Sequence, residues 1–171
     1  GDNDGSSSRP TDEERKSAAI NMVPSAEYSK LKFATLNIDC AKRNRSPFDL
    51  TDDIQTFIVT HKIDILSITE VDFKSMEEAA DFKIENFTTY LPDHLSNYSR
   101  KVRTIVIARN ELEKNITKRT DLMTSSEFPT IWLEVNLPKS PRYILGSAYR
   151  EWGNNEEKST GWGLSLATNV L

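Results

Sequence analysis

Two polar side chains stand where apolar stretches of the sequence end, and their types suit metal chemistry. Asn37 lies near the end of the stretch 31–38, and Glu70 is the last residue of the stretch 63–70. Short apolar runs rich in β-branched residues are typical of buried strands. We therefore predict that Asn37 and Glu70 meet at the carboxyl edge of one sheet, where a carboxylate on a rigid element suits a metal or catalytic role.

Further candidate residues follow another apolar stretch and lie in two basic segments. Tyr149 ends the stretch 142–149, and Arg150 comes next. The arginine suits a charge-assisted contact with a phosphate group or, equally, a structural ion pair. The basic segment 40–45 predicts either a solvated turn or a contact with a phosphate backbone, and 99–103 forms a second basic patch. The candidate substrate-binding cations in these two segments are Arg43, Arg45, Arg100 and Lys101.

The segment between the first two strands indicates how Asn37 and Glu70 are positioned. A helix is expected from about Pro47 to His61, with Ser46 as its cap. Strand, helix and strand within about forty residues indicate a βαβ unit with a right-handed crossover. His61 is expected to end the helix without a catalytic role.

The remaining pattern adds strands to this unit. A capping sequence at 75–78 predicts a short helix, and alternation at 87–91 predicts an edge strand. Three more strands are predicted at 104–108, 130–135 and 142–149. A hairpin arm is predicted at 110–120, and a helix is predicted to start within 165–171. We therefore predict an α/β fold, a mixed β-sheet with flanking helices.

Composition predicts one domain behind a polar tail. The chain has 171 residues, 37% hydrophobic and 28% charged, which is typical of a soluble domain. Residues 1–30 are poor in large apolar groups and are expected to be disordered, because they cannot bury enough surface to offset their ordering entropy. The domain is expected to occupy residues 31–171.

Charge, cysteine usage and motifs exclude several classes of protein. The net charge of −4 argues against a strongly basic nucleic-acid clamp. The single cysteine, Cys40, allows no internal disulfide, fits a reducing compartment and is expected to be structural. No apolar run reaches the ~20 residues of a membrane span. A glycine-rich phosphate loop, zinc-ligand spacing, a nucleophile elbow and an RNA-recognition signature are also absent from the sequence.

Taken together, the segments resemble the endonuclease/exonuclease/phosphatase superfamily. The likeness is strongest to the endonuclease domain of non-LTR retrotransposon (LINE-type) reverse transcriptase polyproteins. The order and spacing agree from about Leu31 to Trp152. The matching segments are 34–38 with Asn37, 64–70 with Glu70, 103–107 at the family's glycine-rich strand, and 144–152 with the Tyr149–Arg150 pair.

The resemblance implies a Mg²⁺-dependent phosphodiesterase that cleaves DNA, with Mn²⁺ as an alternative metal and a nuclear location if the target is chromosomal. Glu70 would anchor the metal, Asn37 would orient the phosphate or a metal-bound water, and Tyr149 would hydrogen-bond a phosphate oxygen. Mg²⁺ suits this set because it prefers oxygen ligands, keeps several waters and often uses one or two carboxylates. The ion would stabilise charge on the scissile phosphodiester.

The resemblance also predicts an incomplete site. Family members carry a later Gly-Asp-x-Asn motif and a terminal Ser-Asp-His motif, which activate water and complete the phosphate site, and neither occurs here. The strand 103–109 lacks the family's glycines. We therefore expect the first half of a four-layer α/β sandwich, with one sheet face exposed and no activity alone. Its partners would be DNA and the missing C-terminal half of the same domain.

Two alternatives remain open. One is a phosphatase or RNA exonuclease of the same superfamily, which would share the metal-binding Glu70. The other is a non-enzymatic α/β interaction module, in which Asn37 and Glu70 merely end strands.

Overall fold

The computed structural model of the protein describes residues 31–95, 100–123, 128–150 and 162–170, with residue 150 and the last segment as backbone only. The predicted tail, residues 1–30, lies outside the described residues. The described strands are β1 (Phe33–Asn37), β2 (Ile65–Phe73), β3 (Phe87–Tyr90), β4 (Val102–Arg109), β5 (Ile116–Lys118), β6 (Thr130–Val135), β7 (Arg142–Arg150) and β8 (Trp162–Val170). The described α-helices are α1 (Cys40–Arg43), α2 (Thr51–His61) and α3 (Met76–Asp81). Short 3-10 turns lie at Pro47–Leu50, Asn110–Asn115 and Thr120–Leu122.

The first sheet has the strand order β1-β2-β4-β3. β1 runs parallel to β2, while β4 runs antiparallel to both β2 and β3. The α/β class, the mixed sheet with flanking helices and the edge position of β3 are therefore confirmed. The parallel pair brings the carboxyl ends of β1 and β2 to the same edge of the sheet.

Helix α2 covers one face of the first sheet. Its residues Ile54 and Ile58 recur at helical spacing, are almost completely buried, and join Leu66 and Ile107 of the sheet in one apolar cluster. This cluster fixes the helix layer against β2 and β4.

The predicted cap is present where the chain turns into the helix. Asp49 donates its backbone N–H to Ser46 Oγ, while Ser46 donates its own N–H to the Asp49 carboxylate at 2.9 Å. This reciprocal pair opens the 3-10 turn that leads into α2, and Pro47 supplies the fixed φ expected in a first turn.

A second, antiparallel sheet with the order β5-β6-β7-β8 packs against the opposite face of the first sheet. Ile65 and Val106 of the first sheet form a second apolar cluster with Leu133 and Leu145 of the second. The expectation of an exposed face on the first sheet is therefore wrong. Most of β4 is buried, as a strand between two layers requires.

Several predicted elements differ from the observed ones, among them the helix expected from about Pro47, which becomes α-helical only at Thr51, and the arm expected at 110–120, which is a 3-10 turn followed by β5. β2 ends at Phe73 and continues past Glu70. The basic segment 40–45, expected to be a turn, contains the short helix α1. The helix start predicted at 165–171 is wrong, because residues up to Val170 belong to β8, which pairs with β7 along its whole length. Cross-strand pairing overrides a weak local preference.

Among the residues that the structure describes, no helix is both long and apolar enough to cross a membrane.

Candidate functional site

The predicted meeting point of Asn37 and Glu70 corresponds to one edge of the first sheet. In the parallel register of β1 and β2, Asn37 is the partner of Thr69, the residue immediately before Glu70. The hydrogen bonding between the two strands continues beyond this pair, because the Ile38 N–H donates to the Thr69 carbonyl at 3.1 Å. Asn37 is exposed and Glu70 is half-buried, so neither lies in the apolar interior.

Glu70 lies in a β-bulge, which the sequence did not predict. Its φ is 57°, in the left-handed region, and the pairing of β2 with β4 shifts register between Thr69 and Phe73. Glycine is the usual residue at the left-handed position of one common bulge type, because this conformation costs other residues about 1–2 kcal/mol. Asp39 and Asn44 also have positive φ in the segment that follows Asn37. Asp39 and Asn44 are the caps of α1, where such a conformation is ordinary, whereas Glu70 adopts it within a strand.

The bulge changes which side chains of β2 face the second sheet. Before it, Leu66 and Ile68 face the helix layer; after it, Val71 and Phe73 do. Between the pairs Thr69–Thr104 and Phe73–Val102, β2 advances four residues while β4 advances two, and the alternation of β2 side chains between the two faces changes phase there. Asp72 is thereby placed on the face turned toward the second sheet.

Asp72 takes part in a polar network that joins three strands. Lys101 Nζ lies 3.0 Å from its carboxylate, and Arg103 Nη1 lies 2.7 Å away. Arg103 Nη2 donates to the Tyr149 hydroxyl at 3.2 Å, and the guanidinium carbon is 5.0 Å from the centre of the Tyr149 ring. Tyr149 is only 5% exposed. The structure thus joins Tyr149 to β2 through Arg103, a residue of the second basic patch that was not among the candidate cations.

A buried cluster of three hydroxyls lies between the two sheets. Ser147 Oγ is 2.6 Å from Ser67 Oγ and 2.7 Å from Thr104 Oγ1. All three residues are almost completely inaccessible to solvent, so these hydrogen bonds satisfy polar groups that would otherwise destabilise the core. No local sequence signal identified this cluster, because its members lie on three strands far apart in the chain.

The other candidate cations lie at different places. Arg43 is exposed at the end of α1, and Arg45 donates to the Asp49 backbone carbonyl at 3.0 Å. Arg100 is exposed at the start of the segment that leads into β4. Lys101 is held by Asp72, as described above. The side chain of Arg150 lies outside the described residues.

The thiol of Cys40 lies near Asp72 and is not activated as a nucleophile. Its thiol is buried, and burial together with the negative charge of Asp72 raises the pKa of Cys40 to about 11. Nucleophilic cysteines instead have lowered pKa values. This environment agrees with the structural role expected for Cys40.

The donor chemistry at the sheet edge fits a hard divalent cation with few protein ligands. Among the described residues, no hydrogen bond or ion pair involves the Glu70 carboxylate. Asn37 Oδ1 accepts one hydrogen bond, from the Asp39 N–H at 3.0 Å, and retains a second lone pair. Within the described part of the chain, no cluster of three or more acidic, histidine or cysteine side chains could enclose a metal ion. The oxygen donors of Glu70 and Asn37 are of the type that Mg²⁺ prefers.

Searches of protein-family models, curated proteins and solved structures found no match to this chain.

Proposed function

We propose that this protein carries a Mg²⁺-dependent phosphodiesterase site of the endonuclease/exonuclease/phosphatase type, with DNA as the substrate class. The observation that carries the proposal is Glu70 itself, which has a left-handed backbone conformation next to the Asn37–Thr69 register pair and no partner among the described residues for its carboxylate. Selection for stability alone would favour glycine at this bulge position, because glycine adopts a positive φ without steric cost. A glutamate held there on a buried strand is explained by a requirement for its carboxylate.

Three side chains would each have a separate role in binding the metal ion and the phosphate. Glu70 would hold Mg²⁺, which supplies positive charge to the scissile phosphate. Asn37 would orient the phosphate through its amide, and its position is fixed by the hydrogen bond from Asp39. Tyr149 would donate a hydrogen bond to a phosphate oxygen. Arg43 and Arg45, exposed on the segment after Asn37, would contact the neighbouring DNA backbone.

The first test measures metal binding, because this property does not depend on a complete catalytic set. Mn²⁺, a paramagnetic substitute for Mg²⁺, is titrated into the labelled protein, and broadening of backbone amide signals is followed by NMR. We expect broadening around Asn37 and Thr69, reversed by excess Mg²⁺. Glu70→Gln should weaken Mn²⁺ binding by at least about tenfold, because it removes the anionic ligand without changing size.

The matched control is Glu113→Gln. Glu113 is an exposed carboxylate in the 3-10 turn Asn110–Asn115, away from the Asn37 edge. This variant should bind Mn²⁺ as the wild type does. Broadening that is scattered over acidic surface residues and is unchanged in Glu70→Gln would contradict the proposal.

The second test measures cleavage of supercoiled plasmid DNA, an RNA oligonucleotide and a small phosphomonoester with Mg²⁺. We expect no activity of this chain above the Glu70→Ala background, because the later family motifs are absent from the sequence. Clear nicking that Glu70→Ala abolishes would contradict this expected inactivity but support the metal site. Release of phosphate from the monoester, or trimming of the RNA, would instead favour the other members of the superfamily.

A non-enzymatic interaction module is the second candidate. It is favoured by one observation: Lys101 and Arg103 are both paired with Asp72, so part of the basic patch is neutralised within the protein. This candidate requires that Mg²⁺ and Mn²⁺ leave the Asn37 and Thr69 signals unchanged.

A further inference from the structure

Arg103 occupies the junction between the bulged strand and Tyr149. Its Nη1 lies 2.7 Å from the Asp72 carboxylate and its Nη2 lies 3.2 Å from the Tyr149 hydroxyl, so one guanidinium connects β2, β4 and β7. The Arg103 side chain is 15% exposed. A small pocket opens beside this junction, and its lining includes His94, Lys101, Arg103 and Tyr149. The junction is therefore close to solvent although most of the tyrosine is covered.

The direction of the hydrogen bond follows from the chemistry of arginine. A guanidinium has only donors, so the Tyr149 oxygen must accept in this contact. The hydroxyl hydrogen of Tyr149 must then point away from Arg103. The guanidinium also lies 5.0 Å from the ring centre, and this cation–π contact restrains the orientation of the ring.

We infer that Arg103 is a positioning residue, which holds the Tyr149 hydroxyl as a hydrogen-bond donor for a phosphate oxygen of the substrate. This inference rests on the proposed phosphodiesterase function and adds a residue to it. The bulge at Glu70 contributes to this arrangement of Asp72, Arg103 and Tyr149. It turns Asp72 toward the second sheet, where the Asp72 carboxylate binds the Arg103 guanidinium. One local irregularity thus places the carboxylate proposed to bind the metal and, through the Asp72–Arg103 ion pair and the Arg103–Tyr149 hydrogen bond, the hydroxyl proposed to bind phosphate.

Lysine cannot replace Arg103 in this role. Its ammonium is a single point of charge, whereas the planar guanidinium offers two separate nitrogens to two acceptors at once. Arg103→Lys retains the charge near Asp72 but loses one of the two contacts. Arg103→Met loses the charge and both contacts while it retains an unbranched apolar stem.

The experiment observes Tyr149 directly. The protein is labelled with 3-fluorotyrosine, and the ¹⁹F signal of Tyr149, one of five tyrosines, is assigned by its absence in Tyr149→Phe. Dithymidine phosphorothioate, a phosphodiester that resists hydrolysis, is the probe and is titrated with Mg²⁺ present. Circular dichroism and thermal melting identify any variant that fails to fold.

We expect the Tyr149 signal of the wild type to shift as the probe binds. Arg103→Met should move this signal before any probe is added and should weaken probe affinity at least about tenfold, the size expected when a hydrogen bond to a charged group is lost. Arg103→Lys should keep the fold and give an intermediate affinity. Arg119→Met, the same change at an arginine paired with Asp121 and Glu134, should leave the Tyr149 signal unchanged.

Two results would overturn the inference. One is a Tyr149 signal that is the same in the wild type, Arg103→Lys and Arg103→Met. The other is a Tyr149 signal that moves in the variants while probe affinity stays constant, which would make Arg103 a purely structural residue. Either result leaves the proposed function standing if Mn²⁺ still binds at Glu70. Loss of that metal site in the NMR titration is a separate outcome, which would remove the function itself.

Discussion

At the scale of single residues, Glu70 combines a strained backbone with a carboxylate that we propose to be functional. The residue has a left-handed backbone conformation within a strand, and no described partner compensates its carboxylate. Asp72, two residues later, has the opposite environment, since its charge is paired with two cations. Asp72 thus stabilises the fold, whereas we propose that the Glu70 carboxylate binds a metal ion.

Replacement of Glu70 by glycine tests this opposition. We expect Glu70→Gly to be more stable than Glu70→Ala by about 1 kcal/mol, because glycine adopts the observed φ without the steric cost borne by alanine. Both variants should lose the metal site equally. Urea unfolding followed by circular dichroism measures the difference. Equal stability of the two variants would show that residue 70 does not keep its left-handed conformation in solution.

At the scale of elements, the segment from Ser46 to His61 is the part of the fold that local rules explain best. The cap, the proline and the apolar repeat all occur where helix signals predict them. The Ser46 N–H and the Ser46 hydroxyl, whose Oγ lies 3.0 Å from the Asp49 carboxylate, both donate to this carboxylate and lower the pKa of Asp49 from its ordinary value of 3.8; Ser46→Ala removes only the hydroxyl's bond. The cap therefore has a dependence on pH with a defined sign.

Removal of the Ser46 side chain should lower stability by about 1 kcal/mol, the usual effect of losing an N-cap. Because the pKa of Asp49 is lower in the folded protein, its contribution is present above the ordinary value and is lost as the pH falls through the folded value. The difference between wild type and Ser46→Ala should thus shrink in acid. Thermal melts at several pH values measure it.

Thr56→Ala is the control for this prediction. Thr56 is exposed within α2, and alanine has the higher helix propensity. This variant should be as stable as the wild type or slightly more stable at every pH. A stability loss in Ser46→Ala that stays constant through the acid range would contradict the role given to Asp49.

At the scale of the whole molecule, the first sheet lies between two apolar clusters. Ile107 belongs to the cluster on the helix side, and Leu133 belongs to the cluster between the sheets. Both are completely buried. The strands of the first sheet supply residues to both clusters, so the helix layer and the second sheet should unfold together.

Truncation in either cluster tests this coupling. Ile107→Ala and Leu133→Ala should each cost about 2–5 kcal/mol and lower a single shared transition, because each leaves a cavity in a packed core. Near-ultraviolet circular dichroism follows the second sheet, which contains Trp132 and Trp162, and far-ultraviolet circular dichroism follows the helices. Thr117→Ala, an exposed position on β5, should leave the transition unchanged. A Leu133→Ala protein that melts in two separate steps would show that the layers are independent.

The sequence by itself determined most strands, the capped helix and the βαβ connection that makes Asn37 and Thr69 register partners, because strand periodicity and capping residues are local properties. Tertiary structure alone decided that Glu70 lies in a bulge, that Arg103 joins Asp72 to Tyr149, and that a second sheet covers the first. These features depend on pairs distant in sequence: Arg103 and Tyr149 are 46 residues apart, and Ser67 and Ser147 are 80 apart. The register of a strand and the sheet face on which each side chain lies are set by packing between layers. A short window of sequence does not contain the residues that make these contacts.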